Sequence, residues 1–462
     1  LTALDENRNS ETVDQSRLPG SSPLFSPRLG FNWNAAGDRR TQIRGGTGIF
    51  TGRVPFVWVG NVISNPGANP LLFPTGPVRE TAPNTTLAQS FDLNAMDPEF
   101  KFPQSWTTDL AIDQQLPGRM LGTLELIYGK DMNGIFMRNA NLRAPVRTLP
   151  DGRPYFGGAG NNQLNDFNGG GQIYVLDNKS EGHSLNLTGQ LRREFGSAFN
   201  ATLAYSFTSA KNTLKSTEIA SVLWAEQPVQ GDPNNPEVSY SEFGQRHRII
   251  GTATWSRSWS ERWRTSVGLF VEIAQGNSFA GAGGNRYSFV YAGDVNGDGS
   301  GANDLIYIPS DANDIILLDI PATPTTPVVT AAQQSVALEA FITQDKYLRA
   351  HRGQIAERFG LVNPWYNNID LRILQDLSIG GGARRHNFQL SVDLLNFANL
   401  FNSSWGVRKV ANPSATSPLR FVDFDAGGAP RFNFTGPATT FIDNPSPLSR
   451  WRMQVGLRYF VQ

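Results

Sequence analysis

Near its C-terminus the chain alternates in side-chain character: Trp451, Met453, Val455, Leu457, Tyr459 and Val461 fall on one parity, and Arg452, Gln454, Gly456 and Arg458 on the other. Residues two apart share a face of a strand, so this segment sets an apolar face against a polar one. A strand with lipid on one side and water on the other requires that pattern, and its backbone groups must all pair with neighbouring strands. A strand of a soluble sandwich alternates as well, so one segment does not decide.

The same alternation recurs along the chain. Leu29, Phe31 and Trp33 alternate with Arg28, Gly30, Asn32 and Asn34; beyond a polar turn, Ile43, Thr47 and Ile49 oppose Gln42, Arg44, Gly46 and Gly48, which predicts a hairpin. A second hairpin is predicted from Trp106, Thr108, Leu110 and Ile112 through Pro117-Gly118-Arg119 into Leu124, Leu126 and Tyr128. Leu185, Leu187 and Leu191 lead through Gly196 into Phe199, Ala201, Leu203, Tyr205 and Phe207. Two further pairs follow, Ile249 to Trp255 with Trp263 to Ile273, and Ile369 to Ile379 with Phe388 to Leu394 across the turn at Gly380 to Arg385. The count is about eleven strands of roughly ten to thirteen residues, enough for a tilted strand to cross the hydrocarbon.

The connections alternate too. Short turns follow the odd-numbered strands, whereas long Gly-, Pro- and Asn-rich segments follow the even ones: Gly52 to Gln104, Arg143 to Gly182, Lys211 to Gln245, Ala280 to Asn367 and Asn402 to Arg450. Short turns on the periplasmic side and long loops outside are the outer-membrane pattern. In that orientation the closing strand runs inward, and so does the first recognisable one. Single-chain bacterial barrels have even strand numbers with both ends inside. The parity therefore predicts at least one strand upstream, and a sheet of this size without its missing part is expected to stay open or to close differently.

Composition agrees with this class. The chain has 462 residues, 40 basic and 40 acidic, 17% charged, with 46 Gly, 29 Phe, 10 Trp and no Cys. The charge balance argues against a nucleic-acid partner. The lack of Cys excludes a disulfide framework and a thiolate metal site. No run of eighteen or more apolar residues marks a membrane helix. Leu1 to Arg17 is polar and reads as no signal peptide.

Several segments carry a family resemblance. Ser26-Pro27-Arg28-Leu29-Gly30-Phe31-Asn32-Trp33, Arg44 to Arg53, Asn303-Asp304-Leu305-Ile306-Tyr307-Ile308-Pro309 and His351-Arg352-Gly353-Gln354 resemble the Oar-like branch of TonB-dependent outer-membrane receptors. Ser391 to Asn402 is similar to the penultimate-strand motif of TonB-dependent receptors generally. The resemblance implies an up-and-down antiparallel barrel of about twenty-two strands around a plugged lumen, in the outer membrane of a Gram-negative bacterium. Residues 1–462 would then be the C-terminal portion of the barrel, with the plug and signal peptide upstream. It implies, as partners, outer-membrane lipid, the barrel assembly machinery, an unidentified external ligand, and the TonB complex through the plug. Gln454, Gly456, Tyr459 and Val461 resemble the C-terminal assembly signal of such proteins, although its last position is more usually aromatic and Gln462 follows here.

Tryptophans gather at strand ends: Trp33, Trp259 and Trp263 beside short turns, Trp106 and Trp451 beside long loops. This placement predicts interfacial girdles. The sharpest local motif is Asp294-Val295-Asn296-Gly297-Asp298-Gly299, the first half of a calcium loop. Its second half departs, because position twelve is Leu305 and Asp304 stands one residue early. A Gly/Asn/Asp turn on an external loop is the plainer reading; calcium held by Asp294, Asn296, Asp298 and Asp304 is the alternative.

Within the long segment 280–366, Thr330 to Phe359 has helical texture, with Tyr347, His351, Ile355 and Phe359 spaced by four, which predicts a helical cap. The apolar run Val54 to Ile63 is expected to pack inside the external vestibule, with ligand binding as the alternative. No catalytic constellation emerges: His183, His247, His351 and His386 are scattered, and Gly46 to Thr51 resembles a dinucleotide fingerprint only inside a strand. Asp109, Asp113, Glu125, Glu272 and Asp393 are expected to line a watery wall with Arg44, Arg192, Arg264 and Arg372. The expected role is a receptor or transporter wall rather than an enzyme. A passive porin and a secreted β-rich binding protein are the alternatives.

Overall fold

The alternating segments form one antiparallel sheet. In the computed structural model, which describes residues 2–14, 19–35, 37, 40–64, 92–165, 171–196, 198–214, 220–242, 245–275, 287–311, 313–380 and 386–461, they become β1 (Arg28–Asn34), β2 (Thr41–Thr51), β3 (Gln104–Leu116), β4 (Met120–Asp131), β5 (His183–Phe195), β6 (Phe199–Asn212), β7 (His247–Ser258), β8 (Trp263–Gln275), β9 (Tyr366–Ile379), β10 (His386–Leu395) and β11 (Arg452–Val461). Each pairs with the next in the chain, and Ser239–Tyr240 adds a short twelfth strand beside β6. No helix among the described residues is long and apolar enough to cross a membrane.

Tight turns set the register. Leu116 faces Met120 across Pro117-Gly118-Arg119, where Gly118 and Arg119 take φ of 76° and 60°. Phe195 faces Phe199 across a second such turn, with Gly196 at φ 65°. These left-handed residues let the chain reverse with the twist of its strands. Of the Gly380 to Arg385 turn, only Gly380 lies within the described residues, and Gln462 and 280–286 also lie outside them.

Because the register never slips along the ladders, the two faces stay pure across the sheet. Leu29, Ile43, Leu110, Leu126, Leu187, Leu203, Ile249, Val271, Ile369, Val392 and Val455 share one face; Asn32, Arg44, Asp113, Thr123, Gln190, Thr202, Thr254, Arg372, Asp393 and Gln454 share the other. Phe31 lies over Gly45, where a Cβ would stand only 3.0 Å from its ring, so glycine is required beneath it. The apolar face is bare: Leu203 is 54% and Leu457 75% exposed. A continuous apolar band on that scale needs lipid against it.

Neither β1 nor β11 has a second neighbour among the described residues, and they do not pair with each other. Among the described residues the sheet is therefore open, with β1 and β11 as its two edges.

The buried core lies in the loop segments rather than between sheet faces. One cluster joins Phe289, Tyr291, Leu305, Ile306, Phe341, Leu348, Phe432 and Phe434. Another joins Trp58, Phe100, Met137, Phe156, Tyr174 and Trp224, and a third surrounds Ala3, Ala140 and Ile173. The long connections thus build a packed layer at one end of the sheet. Short strand pairs carry it: Ile173–Lys179 lies between Leu93–Met96 and Gly134–Asn139, and Pro430–Phe434 lies between Leu419–Phe424 and Ile316–Leu317.

Among the described residues four α-helices complete this layer: α1 (Phe56–Ser64), α2 (Ala220–Ala225), α3 (Ala331–Gln344) and α4 (Lys346–Ala350). Thr330 and Gln333 close a capping box on α3, and Asp345 then ends α3 and caps α4 by accepting from the Tyr347 and Leu348 amides. The expected helix to Phe359 stops earlier. Gly353 at φ 73° turns the chain, and Gln354–Ile355 pairs as a strand with Tyr307–Ile308. In α1, Trp58 and Val62 point into the second cluster.

Two substitutions separate sheet from layer. Leu203→Arg should destabilise the lipid-inserted form by about 2–4 kcal/mol, whereas Thr202→Arg on the polar face should shift it by only about 0.5 kcal/mol, both read by denaturant unfolding in vesicles. Phe341→Ala should cost the loop layer about 3–5 kcal/mol, visible as faster hydrogen exchange across 287–361 with β6 and β7 unchanged.

Candidate functional site

The polar face of the sheet is a wall of paired charges. Arg44 on β2 donates to Asp113 on β3 at 3.1 Å and to Glu125 on β4 at 3.2 Å, and Thr123 donates to the other Asp113 oxygen at 2.6 Å. Further round, Arg248 meets Glu272 at 2.7 Å and Arg372 meets Asp393 at 3.1 Å. Each pair bridges neighbouring strands, except Arg44–Glu125, which reaches across β3, and each is partly exposed, so each adds little stability; together they keep the face hydrated and close to neutral. Arg192 and Arg264 lie on the same face but bond to Glu194 and Ser256. Arg248, not singled out in the sequence, is the partner of Glu272. Its signal was a fixed register two residues from the strand start, legible only once the β7–β8 turn length is known.

Trp33, Trp106 and Trp263 lie on the opposite, apolar face. Trp33 and Trp263 lie at the turn ends of β1 and β8, Trp259 in the β7–β8 turn, Trp106 at the loop end of β3, and Trp451 just ahead of β11. The Trp106 indole donates to Thr47 at 2.7 Å and packs edge-on to Tyr128; Trp259 donates to Thr265 at 2.8 Å. On β11, Gln454 and Gly456 share the polar face, and Tyr459 and Val461 the apolar one. Tyr459 bonds His386 at 2.7 Å, and at Gly456 a Cβ would meet the Ser391 hydroxyl at 2.7 Å.

At the loop end, Asp294 to Asp304 form the hub of the packed layer. Rather than a surface turn, the loop is interior: Asn296, Asp298, Asn303 and Asp304 are fully buried, while Gly299 reaches solvent. Asp294 accepts from the Asp298 and Gly299 amides, Asn296 from Asp298, and Asp298 from Ser300, so the short polar side chains wrap the turn. Asp304 accepts from the Val295 and Asn296 amides at 2.7 and 3.0 Å and pairs with the buried Arg153 at 3.4 Å.

Burial, with Asp304 and Asp294 close by, pushes Asp298 well above the usual carboxylate range. Burial pushes Asp304 up to about 6, against the pull of Arg153. Asp294 is also raised by burial, against the amides of Gly299, Gly297 and Asp298. Among the described residues no three His, Cys, Asp or Glu side chains converge as a ready metal centre.

A second buried charge stands nearby. Arg358 donates to Asn212 and to the Ser239 carbonyl, and burial pushes its guanidinium down to about 10, with Glu237 opposing. It borders a cavity of about 230 Å³ with Gln230, Glu237 and Ser239.

The comparisons with known proteins agree with the sheet. The chain matches the family model described as outer membrane beta barrel domain over residues 6–432. Similar solved structures include the outer membrane transporter YddB from Escherichia coli, 11% identical, with a TM-score of 0.42 over 94% of this chain and 40% of that one. They also include a mutant of the ferric enterobactin receptor PfeA from Pseudomonas aeruginosa (10%, TM-score 0.37, 94% and 40%) and the siderophore receptor PirA from Acinetobacter baumannii (10%, TM-score 0.35, 81% and 37%). This chain thus spans about two fifths of the length of these structures. No curated protein matches it. With its alternating faces, its ladder of adjacent strands and this match over most of its length, the chain belongs to the outer membrane beta barrel domain family and is a protein of the Gram-negative outer membrane.

Proposed function

We propose that this chain is a barrel portion of a TonB-dependent receptor of the Oar-like branch, supplying transport wall and ligand platform for uptake of an external ligand. The observation that carries the proposal is the pairing of an open, charge-balanced polar wall with a separately packed layer over one end of it. A layer with its own core can present a fixed surface to a ligand, which a set of loose loops cannot.

The residue segments named in the sequence support the branch. Ser26 to Trp33 is the start of the sheet, Asn303 to Pro309 runs from the buried hub into the core, and Ser391 to Asn402 covers the second half of β10 and the single 3-10 turn Phe397–Leu400 after it. In this reading the loop layer faces outside, the turns face the periplasm, and residues 280–366 form the largest external loop. The free edges of β1 and β11 pair with further strands of the same barrel. A plug carried elsewhere in the receptor sits against the polar wall and receives the TonB complex. Gln454, Gly456, Tyr459 and Val461 present the assembly signal on an edge strand, where an assembly factor can pair with it. The five tryptophans sit at the two lipid interfaces.

Conductance tests this against a porin. Purified in detergent and placed in a planar bilayer, the intact gene product should show no steady current, and ligand uptake by cells should stop when TonB is lost. A stable ohmic channel would instead mean a passive porin, and a monomer soluble without detergent a secreted binding protein.

A further inference from the structure

We propose that the Asp294 to Asp304 loop holds a calcium ion, gripped by the carboxylates of Asp294 and Asp298 and the carboxamide oxygens of Asn296 and Asn303, and that this ion staples three loop segments together.

The first observation is an unpartnered donor atom. Asn303 is fully buried and brings its carboxamide to Asp298, with Nδ2 2.7 Å from Oδ2, while its own Oδ1 has no hydrogen-bond partner. A buried amide oxygen left alone costs free energy and calls for an ion or a water. The two ends of an amide differ only by a half-turn, so Asn303 can present Oδ1 alongside Asp298 Oδ2. Two oxygens side by side repel unless a cation lies between them.

The second observation is uncompensated charge. Among the described residues Arg153 pairs with Asp151 at 2.7 Å and Asp304 at 3.4 Å, and no ion pair involves Asp294 or Asp298. Asp298, fully buried, accepts only from neutral groups: the Asn296 and Asn303 amides and the Ser300 backbone. A buried carboxylate without a counter-charge is costly, and a divalent cation is the compact remedy.

The donors are hard oxygens of the kind calcium takes, six to eight at about 2.3–2.6 Å. Two of the four donors are carboxamides, and among the described residues no three His, Cys, Asp or Glu side chains converge. Asp304 stands behind the site, tied to the Val295 and Asn296 amides and to Arg153, where it holds the loop's shape. Gly299 reaches solvent beside Asp294, giving an ion its way in.

The stapling role follows from what the loop touches. Phe156 and Gly158 donate to the Asn296 and Gly297 carbonyls, Val229 donates to the Asn303 carbonyl, and Asn296 donates to Gly231. Segments from three different connections therefore meet on one turn.

Calcium alone, terbium as its luminescent substitute, and limited proteolysis test the proposal on the detergent-solubilised protein. Wild type should retain calcium after dialysis, sensitise terbium emission that calcium displaces, and become at least about tenfold more sensitive to cleavage in 143–165, 220–242 and 287–361 when treated with EDTA. Asp298→Asn should bind at least about tenfold more weakly. It should be as stable as wild type or more so in EDTA, because it removes a buried charge, and less stable than wild type in calcium. If Asp298→Asn fails to fold, Asn303→Asp serves: it should bind calcium more tightly and depend on it more. No retained calcium, or cleavage indifferent to EDTA, would overturn the proposal, as would a calcium response unchanged in the variant tested.

Discussion

Everything in this molecule depends on where its backbone hydrogen bonds can go. In a bilayer no water reaches the peptide groups, so each strand must lie beside another along its whole length. From β1 to β11 the ladder delivers this with neighbours in sequence, and a side-chain period of two then decides what each face meets. A single slip in register would put Arg44 and Asp113 into lipid and Leu110 into water. The tight turns at Gly118 and Gly196 are what prevent it.

With lipid supplying the apolar surroundings, the sheet needs no interior packing of its own, and the core is found in the connections. Tyr291 stacks on Phe432 and Phe289 meets Phe341 edge-on within one cluster, while Trp58 and Trp224 anchor another. The molecule therefore divides into a thin wall governed by alternation and a thicker layer governed by packing. The proposed receptor role would use both, a hydrated wall for transport and a surface that keeps its shape for recognition.

The wall was legible in sequence because its rule is local. Alternation at Trp451 to Val461 or Phe199 to Phe207 is visible in a few residues, and so are the Thr330 and Gln333 cap signals. The layer was opaque because its contacts join distant segments: nothing near Asn296 announces Phe156 or Gly231, so the Asp294 loop read as a surface turn although it is buried. Spacing also misled. Tyr347 and His351 do stack across α4 at 4.1 Å, but Ile355 belongs to a strand pair and Phe359 takes φ 54°, so the four-residue rhythm outlasts the helix. Glu272 pairs with Arg248, two residues along β7 from its ladder partner Ile250, a choice set by the diagonal of the β7–β8 ladder.

The central claim is that the packed layer lies outside the cell and the short turns inside. The chain contains no Cys, so a single introduced thiol reports its own position. Val336→Cys places one on α3, 73% exposed, and Glu261→Cys places one in the β7–β8 turn. A membrane-impermeant maleimide applied to intact cells should label the first and spare the second, with both labelled after lysis. Labelling of the turn alone in intact cells would contradict the account.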